Sequence, residues 1–428
     1  MTEALFVMLS GPDPGVFDAQ VLDYGRFMGA LGVRFRYLLF DGFRAWMRSG
    51  RRAREEVQDL RRRFDAEIEL RYMLRPLGGS GLRRATDVVV ETVKALRGSG
   101  ARLLIQARSP EGACVALEAR HGMSDLAVLY DARGDAVAEA LLEARQQKND
   151  RQRRRWERRA VILERLESRA RAEADHILAV SNVLRDRICS EGKVPRNKIT
   201  VVPCCVNMSR FQFSEAAREA VRARLNLEGK FVLVYSGSLT SWQIPDRLAD
   251  FVQRLLAADP EAHLLVLSRD VEGAHRFFGR LLDAGRCTLT SCLYEEVGQY
   301  LAGADAGLLI RQDDPVNRVA CPVKFAEYQT SGLPVILTSD IGDVSEYIEK
   351  TGYGAVLRNE RPLEEQIPWI LEAIRKSKWG QVRKEISEKA KAVFGRDSYR
   401  ESYLQVLDQL GVLPAKMAVA TGGSTPPR

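Results

Sequence analysis

Two doubly wound α/β domains are the fold class this sequence predicts, and three observations predict it. At 428 residues the chain is too long for one ordinary hydrophobic core, so two domains of about 200 residues are expected. Short apolar runs alternate with longer helical stretches along nearly the whole length, as in strand–helix units of parallel sheets. That alternation breaks once, at "VVPCCVNMSRFQFSE", where periodicity stops after Pro203 and resumes near Ala216. The expected division is 1–204 and 205–395, then a C-terminal helix over 396–412 that returns to the first domain, then a disordered tail over 413–428.

The elements follow in order. "MTEALFVMLSGPDPG" has an acidic third residue and a short apolar run, so it reads as a first strand and not as a signal peptide. Further strands in the first half are "VRFRYLLF", "ARLLIQA", "LAVLYD", "HILAVS" and "KITVVP". In the second half they are "FVLVYS", "AHLLVLS", "CTLTSC", "AGLLI", "LPVILT" and "GAVL". Such continuous apolar runs suit strands covered on both faces. Residues 150–174 form a helix, because Trp156, Ala160, Leu163, Leu166 and Ala170 recur as one apolar stripe. A last helix spans about 383–410 and stops at Gly411. The tail "AKMAVATGGSTPPR" is small, polar and rich in Pro and Gly, hence the expected disorder.

Composition narrows the class. No apolar run reaches the roughly 20 residues of a membrane helix. Seven cysteines without a Cys-x-x-Cys pair indicate reduced thiols, with neither a zinc site nor a disulfide framework. His121, His176, His263 and His275 share no metal-ligand spacing and read as structural. Net charge is 65 minus 57, or +8, and it is uneven. "RQQKNDRQRRRWERR" (145–159) holds eight basic and two acidic side chains, and "RSGRRAREEVQDLRRR" (48–63) is a second cluster. A solvated helix face, an anionic membrane surface and nucleic acid are the partner classes for such patches. Aromatics are few near both clusters and no nucleic-acid motif is present, so nucleic acid is not expected.

The stretch "CPVKFAEYQTSGLPVILTS" (321–339) carries the strongest chemical signal. Pro322 suits a helix start, where its missing N–H costs nothing. Lys324, Glu327 and Tyr328 follow at i, i+3 and i+4 on one face, and Gly332 sits at the left-handed C-cap before Pro334. The preceding strand "AGLLI" ends at Arg311, so the helix mouth lies at a strand's C-terminal end, where open α/β sheets bind ligands. Helix dipole, free N–H groups and Lys324 suit phosphate. Glu327 does not; it suits sugar hydroxyls, so a ligand with anionic and polyol parts is expected, such as a nucleotide. An exposed Lys–Glu pair is the open alternative.

"CPVKFAEYQTSGLPVILTSDIGDV" resembles the nucleotide-sugar site of retaining GT-B glycosyltransferases, family 4 in particular, whose pattern is close to S-P-x-K-x-x-E-Y-L-A-x-G-L-P-V-I. Other stretches keep family order. "ADHILAVSNVLRDRI" is similar to the close of the N-terminal domain, and "VVPCCVNMSRF" to the linker V-I-P-x-G-V-D-x-x-R-F. "LVYSGSLTSWQ" resembles the first strand and glycine loop of the C-terminal domain, and "YEEVGQYLAGADAGLLIR" the stretch before the nucleotide site. "LYDARGD" resembles the D-x-R-G element of several bacterial members. The resemblance covers about 175–357 and is weaker before it.

It implies GT-B architecture, with two Rossmann-like domains facing across a cleft, the first for the acceptor and the second for the nucleotide sugar. It implies transfer from a nucleotide diphosphate sugar, UDP- or GDP-linked, to a hydroxyl acceptor, with retention and without metal. Glycan and lipid-linked acceptors, as in bacterial polysaccharide assembly, are the expected partners. The expected location is cytoplasmic, peripheral on the inner membrane face. Glu327 would accept the ribose hydroxyls, and N–H groups near Lys324 and Phe325 would face the pyrophosphate, with Gly237 and Ser238 opposite. The family's second glutamate is replaced by Val319, and the usual Arg and Lys after the glycine loop are missing from "GSLTSWQIPDR". Arg269, Arg311 and Lys324 are their expected substitutes. Arg108, Asp131 and Arg133 stand just past strand ends as acceptor-side catalytic candidates, and Gly15 would let the backbone approach the donor sugar. Arg151, Arg153, Arg154 and Arg155 are the membrane-facing candidates. An inactive relative that binds or scaffolds is the alternative function, motivated by Val319. A nicotinamide oxidoreductase is disfavoured, since no Gly-x-Gly-x-x-Gly follows a strand.

Overall fold

The computed structural model describes residues 2–12, 16–73, 79–96, 102–123, 125–239, 243–376 and 380–414. The chain forms two compact units, Met1–Val202 with Tyr399–Arg428, and Pro203–Ser398.

The first unit carries a seven-stranded parallel sheet. Its strands are β1 (Thr2–Met8), β2 (Val33–Gly42), β3 (Glu67–Met73), β4 (Leu103–Arg108), β5 (Leu126–Ala132), β6 (His176–Ala179) and β7 (Ile199–Val201). Their order is β3-β2-β1-β4-β5-β6-β7, so the winding reverses between β1 and β4. β3, "EIELRYM", is absent from the apolar runs read above. It is an edge strand in which Glu67 and Arg71 are exposed while Ile68 and Met73 are buried, so charge interrupts the apolar run. The helix Asp150–Glu173 buries Ala160, Leu163 and Ala170, with Trp156 and Leu166 half-buried along the same stripe. His176 bonds Thr200 Oγ1 at 2.8 Å, and burial pushes its ring down to about 4, so it is neutral and structural.

The second unit carries a six-stranded parallel sheet, ordered β10-β9-β8-β11-β12-β13. The strands are β8 (Phe231–Ser236), β9 (Ala262–Leu267), β10 (Cys287–Thr290), β11 (Ala306–Leu309), β12 (Val335–Thr338) and β13 (Gly354–Leu357). Val232, Val234, Leu265 and Leu267 enter one buried apolar layer; Phe231, Leu233, Tyr235, Leu264 and Val266 enter the other. Burial of both faces is the reason these strands read as continuous apolar runs. Here the winding reverses between β8 and β11, which opens a crevice at their C-terminal ends.

The helix expected over about 383–410 is two helices. Gly380–Phe394 ends at Gly395, a 3₁₀ turn covers Arg396–Tyr399, and Arg400–Gln409 follows. Gly395 forms a parallel bridge with Val206, and a Cβ there would lie 2.4 Å from the Lys391 carbonyl oxygen. Helical periodicity runs through this break, which only backbone geometry records. The final helix belongs to the first unit: Tyr403 meets the rings of Tyr24 and Phe27 at 5.4 and 5.6 Å, and Arg102 donates to the Leu410 carbonyl at 2.7 Å. Of the tail expected to be disordered, residues 415–428 lie outside the described residues.

Candidate functional site

The helix Val323–Thr330 starts at Pro322 in the second unit and is anchored from below. Phe325 is fully buried, edge-on to Tyr347 and Phe394 at 5.8 and 5.4 Å. A buried phenylalanine is worth about 3–5 kcal/mol relative to alanine. Its N–H donates to the Pro322 carbonyl at 3.0 Å and its ring is core, so Phe325 offers no free group to a pyrophosphate. Tyr328 accepts the Ser236 N–H at 2.8 Å, and Gly307 makes room for its ring, since a Cβ there would lie 2.4 Å from Tyr328 Cδ2. Tyr328 thereby ties the helix to the end of β8.

Lys324 and Glu327 occupy the upper face of this helix. Both are buried, at 7% and 5% exposed, which sets aside the exposed ion pair. Lys324 Nζ lies 4.4 Å from the centre of the Tyr235 ring and donates to Gln243 Oε1 at 3.4 Å. It also lies against Gly237, where φ is +124° and a Cβ would approach Nζ to 3.0 Å. Only glycine lets the loop after β8 come this close to the lysine. Arg311, 8% exposed, follows β11 and donates to Asn317 Oδ1 at 3.0 Å. Asn317 is itself fixed by donating to the Gln312 carbonyl at 3.0 Å. Arg311 Nε is buried without a hydrogen-bond partner, and the Glu327 carboxylate has none among the described residues.

Electrostatics sharpen the picture. Burial, then the nearby Arg311 charge, push Lys324 down to about 7, while Glu327 pulls the other way. Burial pushes Glu327 up to about 7, opposed by Lys324. Arg311 falls to about 10 by burial and stays charged at neutral pH. Lys324 thus feels both the Arg311 charge and the Glu327 carboxylate, and burial works against the charged form of all three. A buried charge left so is costly unless a ligand completes it. An anion with hydroxyl groups fits this set.

Gly237 is half-buried, while Ser238 and Arg269 are exposed; Arg269 lies past β9. Val319 is 1% exposed, and the buried apolar side chain stands where the family pattern has an acid. Gln243, Tyr235 and Asn317 were missed in the sequence. Gln243 sits within the very stretch that lacks the expected cations, so an amide occupies part of that ground. Among the described residues no group of three or more His, Cys, Asp or Glu could hold a metal ion.

In the first unit β4 and β5 place Arg108 opposite Asp131 in register. Arg108 donates to Asp131 Oδ2 through Nε at 3.0 Å and Nη2 at 2.9 Å, and to the Gln20 carbonyl at 3.1 Å. Arg133 donates to Gln20 Oε1 at 2.8 Å and lies 3.7 Å from Asp131 Oδ1. The three candidates meet. Asp131 holds the two guanidinium groups, and its carboxylate is not disposed as a free base. Gln20 was unanticipated; it lies in a π-helical turn, Asp18–Leu22, that no sequence signal marks. Gly15 lies outside the described residues.

On the helix Asp150–Glu173, Arg151, Arg153, Arg154 and Arg155 are all exposed. Arg153 pairs with Asp150 at 2.6 Å and Glu157 at 4.0 Å, and so stands apart. Arg151, Arg154 and Arg155 share a face with Arg158 and with exposed Val161 and Ile162, at helical spacing. A second apolar exposure was not anticipated: Phe43, Trp46 and Met47, the last 63% exposed, open the helix that holds the other basic cluster. No helix among the described residues is long and apolar enough to cross a membrane.

Residues 86–210 match the family model described as Glycosyltransferase Family 4. The match lies mostly before residue 175, where the motif resemblance is weaker. No curated protein matches the chain. Among solved structures, Anabaena HepE bound to UDP is similar at a TM-score of 0.66 and 15% identity, over 95% of this chain and 100% of that one. A glycosyltransferase from Rickettsia africae gives 0.63 and 12%, over 96% and 98%. WaaG, a glycosyltransferase involved in lipopolysaccharide biosynthesis, gives 0.58 and 15%, over 98% and 100%. At these identities the likeness establishes the fold, which is GT-B. HepE was also solved with UDP and glucose, and with UDP-glucose.

Proposed function

We propose that this chain is a glycosyltransferase that moves a sugar from a nucleoside diphosphate sugar, UDP-linked in the first instance, to a hydroxyl acceptor with retention of configuration. One observation carries the proposal: buried Lys324, Arg311 and Glu327, the last with no hydrogen bond to its carboxylate among the described residues, lie at the C-terminal ends of β8 and β11, where the sheet winding reverses. Glu327 accepts the ribose hydroxyls. Lys324 and Arg311 face the diphosphate, and the Gly237 loop lets backbone approach it. As the glycosidic bond breaks, negative charge grows on the leaving diphosphate, and buried cations stabilise it most at that moment. That diphosphate helps to deprotonate the acceptor, so no resident metal is needed. Arg108 and Arg133, oriented by Asp131, supply acceptor-side charge. The matches of residues 86–210 and the UDP complexes of HepE support this reading.

The test is a thermal-shift panel of UDP, GDP, ADP and CMP, followed by release of UDP from the matching sugar donors. UDP at 100-fold over its dissociation constant should stabilise the protein by roughly 2.7 kcal/mol. Stabilisation by none of the four nucleotides would remove the nucleotide site. Binding without turnover on any donor would favour the inactive relative instead, the reading that Val319 motivates.

Acceptor access is proposed to involve an anionic membrane, in keeping with a protein peripheral to the inner face of the cell membrane. Arg151, Arg154 and Arg155 offer about 1 kcal/mol each near such a surface. Exposed Val161 and Ile162 on the same face, and Phe43, Trp46 and Met47 elsewhere, add apolar contact. Co-sedimentation with anionic vesicles should be strong at low salt and fall steeply as salt rises, with neutral vesicles ignored. If glutamine at Arg151, Arg154 and Arg155 leaves sedimentation unchanged, this face plays no part.

A further inference from the structure

Two cysteines from distant parts of the second unit meet beside this site, backbone against thiol. The Cys204 N–H donates to Cys321 Sγ at 3.3 Å. Cys321 is half-buried and therefore reachable, whereas Cys204 is 7% exposed. Cys321 immediately precedes Pro322, the N-cap of Val323–Thr330. Both thiols are near enough to Arg311 for their anions to favour its charged form. The family pattern resembled here has serine in place of Cys321, so the pair is a property of this chain.

We propose that Cys321 and Cys204 form a peroxide-sensitive dithiol whose oxidation closes the helix mouth. The positive end of the helix and the Arg311 guanidinium favour the Cys321 thiolate, which is the nucleophilic form. Elsewhere burial works against reaction: it pushes Cys114 and Cys292 up to about 11 and Cys287 up to about 12, which keeps them protonated. The oxidant is hydrogen peroxide. The Cys321 thiolate attacks one peroxide oxygen, the O–O bond breaks, and the other oxygen leaves and is protonated to water. Sulfur is oxidised to the sulfenic acid and the peroxide is reduced. Cys204 thiolate then attacks that sulfur; the S–S bond forms, the S–O bond breaks, and hydroxide leaves as water. A small dithiol reverses the bond by exchange. Neither cysteine is in a disulfide in this structure, so forming the bond ties the mouth of Val323–Thr330 to the segment after Pro203. The expected consequence, which rests on the nucleotide reading above, is weaker UDP binding.

The experiment uses the full chain treated with a small excess of hydrogen peroxide. Thiols titrated after denaturation should fall from the seven of the sequence by two, recover with dithiothreitol, and map to a Cys204–Cys321 link. Cys321→Ser should lose no thiol. Cys204→Ser should instead carry a sulfenic acid at position 321 that dimedone traps. A link between Cys204 and Cys205, or oxidation of Cys321 no faster than half-buried Cys189, overturns the proposal. UDP titration of reduced and oxidised protein reads the consequence: at least a tenfold loss on oxidation is expected, and equal affinity overturns the closing of the mouth. If the reduced protein ignores UDP, the nucleotide reading falls together with that consequence, whereas the thiol count and the mapped link report on the dithiol alone.

Discussion

Replacing Lys324 by methionine should cut turnover by about 10²–10³, the scale for removing one group aimed at charge that develops in the transition state. The same change should make the ligand-free protein more stable. The sign follows from burial, which lowers Lys324 to about 7 against 10.5 for an ordinary lysine. A lysine with a depressed folded pKa contributes stability that is present above its unfolded pKa and lost as pH falls through the folded one. At neutral pH the unfolded chain therefore binds a proton that the folded site resists, at a cost on the order of a few kcal/mol. Methionine fills the volume without that cost. Calorimetric melting and steady-state kinetics read both halves. A lower melting temperature with full turnover would return Lys324 to the ranks of structural residues.

Glu327→Ala should weaken binding of the nucleoside diphosphate sugar by about 1.5–3 kcal/mol, the range for hydrogen bonds to a charged group. The pH dependence gives a sharper test. Glu327 stands near 7 in the empty site, so ionising it to accept hydroxyls releases a proton, and affinity falls as pH drops below 7. Lys324 must gain a proton to face the diphosphate, so affinity also falls as pH rises above 7. Each limb is at most tenfold per pH unit. Binding of UDP-glucose is expected to be bell-shaped; a sugar-substituted diphosphate avoids the terminal phosphate, which itself titrates near 6. Glu327→Gln should flatten the acid limb and Lys324→Met the alkaline one. Limbs that persist in the variants would mean that other groups titrate.

Much of this site was legible because its key pair lies on one helix. Pro322, Lys324, Glu327, Gly332 and Pro334 encode a start, a face and a stop within one short segment. The side chains around the pair come from elsewhere: Tyr235 and Gln243 from around the β8 loop lie against Lys324, and Asn317 after β11 holds Arg311. No local pattern announces them. Burial, too, was invisible: on spacing alone Lys324 and Glu327 could be a solvated pair, and their exposure is what decides against it. Local motifs also misled, since Phe325 stands beside Lys324 in sequence yet faces the core. In the fold, strands covered on both faces were plain, and the charged edge strand β3 was not. Arg108, Asp131 and Arg133 were legible as strand-end residues, whereas their clamp on Gln20 depends on a turn that sequence does not signal.

The return of the chain to its first unit has a consequence for synthesis. Tyr24, Phe27 and Arg102 emerge early, but the partners that cover them lie at Tyr403 and Leu410. Thr2 likewise donates to the carbonyl of Val412, 410 residues later. All of Pro203–Ser398 is translated between these halves. On the ribosome domains generally fold from the N-terminus as they appear. Here the second unit is contiguous and has all its own residues as soon as Ser398 leaves the exit tunnel. The first unit, though started first, keeps an aromatic flank open until the last turns of the chain arrive, so it is the later of the two to be finished.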